Sequence, residues 1–538
     1  MAIFAYLVMI FMVIFPVWVI HWSYKNWNQP NRKKIIRSNL ATLVVIMVGC
    51  WFAFPVWGNY LIYQKLWLNL FLVVPVLMSA GIVWAIYKLD QKRKITTPMV
   101  IVYGSVALAL GGLGIIGFPS ANNWQTASTN QPIKLEEPIS ADSKAVRFTP
   151  LSVAYQIVKG TFNSSQFTVM EEYMDPVPVR GGFGYVVPAV PDGVWPTMNY
   201  KVDGFVVYDD SFFVPESERT HRITQEFYYG EGMEWQDNIM MKLYRTDMFC
   251  RYTEVFYKPL DPEKPDELTA IAPKIKYLYD FPFFWVPTWG GVTLVHADGS
   301  AEDLSSEEVL ADPRLDGLML YPTELARELV DVQVYDAGYW GAYYNREGKI
   351  KVPELPGSNQ MPFLMVAEDK TPYAVVAAEP SGDASALFRL YYINLANGEF
   401  SYYEYDTSSA VLGPRDALEQ VRTSLKGYTW IDAGGGDGTT GNYRVIEPRP
   451  LPINDDLYWL TTITSASYKG INLTAVISAS TRRVETFETR DEFASWLGLK
   501  TSENQEEQAD DDSIEAVIDK AKVLFKRGLE LLESIKER

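Results

Sequence analysis

Three histidines, His21, His221 and His296, and two cysteines, Cys50 and Cys250, are the scarcest reactive side chains in this 538-residue chain. No two of the histidines are close in sequence, so neither an H-E-x-x-H pair nor a Cys/His zinc spacing is present. A Ser-His-Asp triad gathers residues from distant parts of a chain, but no G-x-S-x-G elbow singles out a serine here. Carboxylate pairs such as Glu171-Glu172 and Asp209-Asp210 abound, and their spacing marks no acid and base. The segment "DAGGGDGTTGNY" sets Gly436, Gly438 and Gly441 in a formal G-x-G-x-x-G. That motif holds phosphate only when a helix follows it, and "NYRVIEPRPLP" is interrupted by three prolines that a helix interior does not accept. Asp432 and Asp437 in the same segment could hold a calcium ion together with backbone carbonyls, but their spacing fits no EF-hand loop. The residues therefore name no catalytic group, no cofactor site and no metal ligand, and the expectation is a protein that is not an enzyme.

The elements that would carry any site divide sharply by composition. Apolar runs at 2–20, 40–57, 66–86 and 98–118 are each about long enough to cross a hydrocarbon core as a helix. Basic residues cluster in the first and third loops, with Lys25, Arg32, Lys33, Lys34 and Arg37 in one and Lys88, Lys92, Arg93 and Lys94 in the other. The positive-inside rule then predicts both termini of the bundle outside. The spans carry no Asp, Glu, Lys or Arg, so they read as an anchor and assembly surface. Residues 1–118 hold a net charge of +9 within a chain of −18, leaving −27 for the remainder. So acidic a region excludes nucleic acid as a partner, because phosphate needs clustered Lys and Arg. Cys50 and Cys250 fall in different regions, so the acidic part has no internal disulfide and must rely on its cores.

Beyond a polar linker at 119–144, "YYINLANGEFSYYEYD" (391–406) places an Asn-Gly pair between two β-rich runs. Before it stand "TPYAVVAAEP" (371–380) and "YPTELARELVDVQV" (321–334), where Leu325, Leu329 and Val330 recur at helical spacing. The order helix, strand, strand, turn, strand recurs three more times. Downstream it reads "GPRDALEQVRTSL", "DLYWLTTITSAS" and "LTAVISASTRRVETFET". Upstream it reads "DNIMMKLYRTD", "FPFFWVPTWGG" and "VTLVHADGSAEDLS", with its turn at Asp298-Gly299; a first copy spans "PLSVAYQIVKG", "FGYVVPAVP" and "GFVVYDDSFFVPE". Units are expected at 145–219, 232–306, 319–406 and 412–493, with hairpin turns at Asp298-Gly299 and Asn397-Gly398 in the middle two and a core shared in series.

A helix, a "PYAVV" strand and then "YYINLANGEFSYYEY" resemble the PepSY-type domain, whose strand ends in a Thr-Gly-Glu or similar turn. Residues 321–344 and 363–405 resemble tandem PepSY-like proteins anchored in bacterial envelopes, and the likeness extends over about 145–493. Ala396-Asn397-Gly398-Glu399 is close to the usual turn, Ala297-Asp298-Gly299-Ser300 lacks the Glu, and Ala479-Ser480-Thr481-Arg482 lacks the Gly. The resemblance implies binding, restraint or assembly without a catalytic constellation.

An acidic linker at 500–512 precedes "SIEAVIDKAKVLFKRGLELLESIKER" (513–538), where Ile514, Ile518, Phe525, Leu532 and Ile535 form an apolar stripe. A helix of this length needs burial, against its own chain, a second copy or a protein partner. The expected fold is a four-span α-helical membrane anchor, an α+β ectodomain of repeated PepSY-like units and a C-terminal amphipathic helix. The expected place is the cell membrane, multi-pass, with the N-terminus and the large domain extracytoplasmic. The expected role is a non-catalytic binding or scaffold protein of an envelope complex, with the lipid bilayer and a protein or second copy as partners. A tethered hydrolase and a transporter accessory subunit are the alternatives.

Overall fold

The computed structural model describes residues 122–499, apart from 180–181, 234–236, 248, 262, 281–283, 336–337, 339–348, 356–359, 383, 407–410, 432–440 and 454–455. The expected architecture is corrected here. No helix among the described residues is long and apolar enough to cross a membrane. The longest assigned helices, Leu151–Thr161 and Pro414–Ser424, have 11 residues, about 16 Å against a core of about 30 Å. The multi-pass fold, the transmembrane description and the membrane localisation are therefore not carried forward. The four apolar runs at 1–118 and the helix at 513–538, with Ile514, Ile518, Phe525, Leu532 and Ile535, lie outside the described residues.

What folds is mainly a set of small antiparallel sheets with few helices. After β1 (Ile133–Lys134), the first unit holds α1 (Leu151–Thr161), β2 (Phe167–Thr168), β3 (Asp175–Val179), β4 (Gly182–Pro188), β5 (Val190–Pro191), β6 (Phe205–Asp209) and β7 (Thr220–Ile223). The second holds α2 (Ile239–Thr246), β8 (Cys250–Tyr252), β9 (Phe256–Pro259), β10 (Leu268–Asp280), β11 (Phe284–Val295) and β12 (Ala301–Leu304). The third holds α3 (Thr323–Asp331), β13 (Ile350–Lys351), β14 (Phe363–Val366), β15 (Pro372–Pro380), β16 (Arg389–Asn394) and β17 (Phe400–Glu404). The fourth holds α4 (Pro414–Ser424), β18 (Tyr443–Ile453), β19 (Asp456–Ser465), β20 (Ile471–Ser478), β21 (Val484–Phe487) and a closing α5 (Arg490–Trp496).

Each of α1 to α4 is followed by an antiparallel meander of four strand positions rather than three. The orders are β3-β4-β6-β7 and β18-β19-β20-β21, and in the middle units the first position is split. There β8 and β9 both pair with β10, and β13 and β14 both pair with β15. In the fourth unit the first strand stays whole but shifts register between Ile446 and Arg449, with Glu447 at φ 49°. "NYRVIEPRPLP" is thus a strand, tolerated because β18 lies at the edge of its sheet, where an absent proline N–H leaves no ladder bond unmade. "FWVPTWGG" (284–291) and the start of "VTLVHADGS" belong to one strand, β11.

Residues 122–134, expected as part of a polar tether, pack on later units. Residues 122–129 are helical, Asn122 exchanges hydrogen bonds with the backbone of Trp285, and β1 adds a parallel strand to the edge at β17.

The first sheet is buried on both faces, which is why β4 reads as a continuous apolar run. Ala154 and Val158 of α1 cover Tyr185, Val187, Val206 and Tyr208. The opposite face, with Val177, Val186, Phe205 and Val207, joins a core continuous through Ile271 and Leu294, Leu325 and Val376, and Leu418 and Trp459 of the other units.

One backbone contact recurs. The carbonyl just past the central strand accepts from the chain leading into the helix: Tyr228 N to Ala297 O at 3.0 Å, Leu320 N to Leu395 O at 2.7 Å, and Leu412 N to Ala479 O at 2.9 Å. Hairpin and helix of the last three units are thus tied at the same place.

Candidate functional site

The outer face of the first sheet does not close completely on the second unit. Between them lies a crevice of about 510 Å³, within the range of roughly 300–1,000 Å³ usual for small-molecule sites. Val177, Val186, Val207 and Ile223 form one wall, and Tyr257 and Leu268 the other. The wall exists because β3, β4, β6 and β7 alternate their side chains, one set going to α1 and the other to this side. Pro265 and Asp266, on the exposed loop between β9 and β10, also line it.

Lys258 stands on β9 opposite Thr269, half-buried against this apolar lining. Among the described residues its amine has no hydrogen-bond or ion-pair partner. Burial alone draws its pKa down to about 8, since a low-dielectric surrounding disfavours the ammonium form. The crevice has few other polar groups. Lys370 is held by Asp142, the Asp209 carboxylate accepts from the Ser211 amide at 2.9 Å, and His221 and Asp266 are exposed.

A second cluster lies where units one, two and three meet, around a cavity of about 170 Å³ lined by Asp175, Glu254, Arg147, Tyr321 and Thr323. Glu254 accepts from the amide and hydroxyl of Thr323, at 2.7 and 2.5 Å, so it satisfies donors at the start of α3. Burial, and then the Glu254 charge, pushes the Asp175 carboxyl up to about 7. Burial and Asp175 likewise raise Glu231, whose Oε2 is buried without a hydrogen-bond partner.

The third polar cluster is structural. Arg147 meets Glu447 at 2.8 Å, both almost wholly buried. Glu447 also accepts from the Leu151 amide at 3.1 Å, and Arg449 donates to the carbonyls of Arg147 and Phe148. Asp210 accepts from the amides of Phe148 and Thr149, from the Thr149 hydroxyl, and from Arg490 at 2.9 Å. Unit one is thereby bonded to unit four.

The reactive side chains that the sequence singles out fall elsewhere. Cys250 is buried, and desolvation, with Asp247 at 3.0 Å, pushes its thiol up to about 12, so no thiolate forms near neutrality. His296 ends at Glu302, 3.0 Å away, beside the β11–β12 turn. Gly441 abuts the backbone of Trp430, where a Cβ would meet it at 2.1 Å, and this close approach explains the residue without a phosphate. Gly436, Gly438, Asp432 and Asp437 lie outside the described residues. No group of three or more His, Cys, Asp or Glu among the described residues is placed to hold a metal ion.

The hairpin positions are at turns. Asp298 Oδ1 accepts from the Ser300 amide at 2.8 Å, Asn397 Oδ1 accepts from the Glu399 amide at 2.9 Å, and Gly299 and Gly398 take φ of 85° and 79°. Neither turn joins the crevice lining. Lys258 escapes sequence reasoning because a lysine in a short strand ending at proline is an ordinary surface pattern; its one signal is its place beside two aromatics in "VFYKP". No family model matches the chain, and neither a curated protein nor a solved structure matches it.

Proposed function

We propose that residues 122–499 form a non-catalytic binding and scaffold module, with the crevice between the first and second units as its ligand site. The observation that carries this is an apolar crevice of about 510 Å³ lined in part by Lys258, whose amine has no partner among the described residues. An apolar wall open to water and a half-buried ammonium without a partner among the described residues both lower stability, and an apolar ligand with a complementary polar group relieves both. The PepSY resemblance points the same way, since that family binds or assembles without catalysing.

Fluorescence titration of the full chain with the neutral probe N-phenyl-1-naphthylamine tests the site. Saturable binding is expected, and it should vanish in Pro265→Trp or Asp266→Trp, which place a ring at the exposed mouth while circular dichroism stays unchanged. Equal binding by both variants, or none by the parent protein, overturns the reading.

The raised Asp175 carboxyl beside Glu254 favours a second reading, a hydrolase with a proton-carrying acid. Turnover of generic ester, peptide or phosphomonoester substrates, abolished by Asp175→Asn, would replace the first reading with this one.

A further inference from the structure

Resting on that binding reading, we propose that the crevice takes a monocarboxylic acid with an apolar chain, its carboxylate received by Lys258 and its chain laid between Val207 and Leu268. The pattern of polar groups selects this class. A neutral apolar molecule fills the walls but leaves the ammonium unpaired; an acid answers both.

The remaining charged groups leave Lys258 as the available cation. Lys370 is already held by Asp142, and Asp209 is held by the Ser211 amide. His221 and Asp266 are solvent-exposed, where water and salt screen them. The amine near pH 8 stays largely protonated at neutrality, so the pairing operates there.

Isothermal titration of the full chain, kept free of detergent, with decanoate, decanol and decyltrimethylammonium tests the class. Decanoate should bind about tenfold or more tightly than decanol, as a hydrogen bond to a charged group implies, and the cation should bind more weakly still. Lys258→Met should bring decanoate down to the decanol level without altering decanol, and Lys258→Arg should keep the preference. Decanoate affinity of the parent protein should fall as the pH is raised above about 8 and the amine loses its charge, while Lys258→Arg stays level because guanidinium remains protonated. A lysine that merely packs against the wall would give no such pH difference.

Equal affinity for decanoate and decanol overturns the acid and leaves the binding module standing. Failure of both to bind overturns the two readings together. Decanoate binding that survives Lys258→Met with its preference intact overturns the role of Lys258.

Discussion

At the scale of single residues, Asp175 and Lys258 show how burial without a partner sets chemistry. The Asp175 carboxyl has its pKa lifted from 3.8 to about 7, first by burial and then by Glu254. A carboxyl raised on folding binds more protons folded than unfolded, so its stabilising contribution is present below about pH 4 and is lost as pH rises through 7. Asp175→Asn should therefore leave stability at pH 4 nearly unchanged and raise it at pH 8. The gain should be about 1–2 kcal/mol, less than the full shift implies because the side chain is only half-buried. Urea denaturation at the two pH values checks this, and a variant less stable at pH 8 would mean the carboxylate is satisfied when charged. Neither residue was legible beforehand. Each sits in a short strand whose residue types are ordinary, and what makes it unusual is that, among the described residues, no other unit supplies it a counter-charge.

At the scale of elements, helices and hairpins were legible where they repeat a strong local signal. Leu325, Leu329 and Val330 are buried on α3 as their spacing implies. The Asn-Gly turn differs in detail: it is a longer loop, closed by Asn394 N to Glu399 O at 2.9 Å and Gly398 N to Asn394 O at 2.8 Å. The fourth unit repeats the same bonds through Ser478, Arg482 and Arg483, with Arg482 at φ 62° standing where Gly398 stands. The backbone demand is therefore conserved within the chain while the glycine signal is not, which is why that turn departs from the expected motif. Gly398 has a second constraint, since a Cβ there would meet the Tyr321 ring at 2.6 Å, beside the lead-in to α3. Gly398→Ala should cost about 1–3 kcal/mol through the left-handed backbone and the clash. Gly427→Ala, with nothing within 4 Å, should be near neutral. Urea midpoints of the two variants make the comparison, and equal midpoints would show that Tyr321 moves aside freely. The first strand of each meander escaped notice for the opposite reason, being split in two units and bulged at Glu447 in another.

At the scale of the whole molecule, four similar units do not make a simple row of neighbours. Unit one reaches unit four, although two units separate them in the chain, through Arg147, Glu447, Arg449, Asp210 and Arg490. Nothing local announces this. The residues lie some 300 positions apart, and "VRFTP" and "VIEPRP" carry no pairing signal of their own. Fully buried ion pairs add little net stability when complete, but removing one partner strands the other charge at about 3–5 kcal/mol. Glu447→Ala should incur that cost, because Arg147 loses its carboxylate and the Leu151 amide at the start of α1 loses its acceptor. Deleting an exposed pair such as Lys264–Glu267 should leave stability nearly unchanged, because water and salt already screen it. If the network is what couples the ends of the array, calorimetry should show one unfolding transition in the parent protein and two in Glu447→Ala, with unit one melting first. A single transition merely shifted to lower temperature would mean that the continuous apolar core, rather than the ionic contact, holds the four units to one cooperative fate.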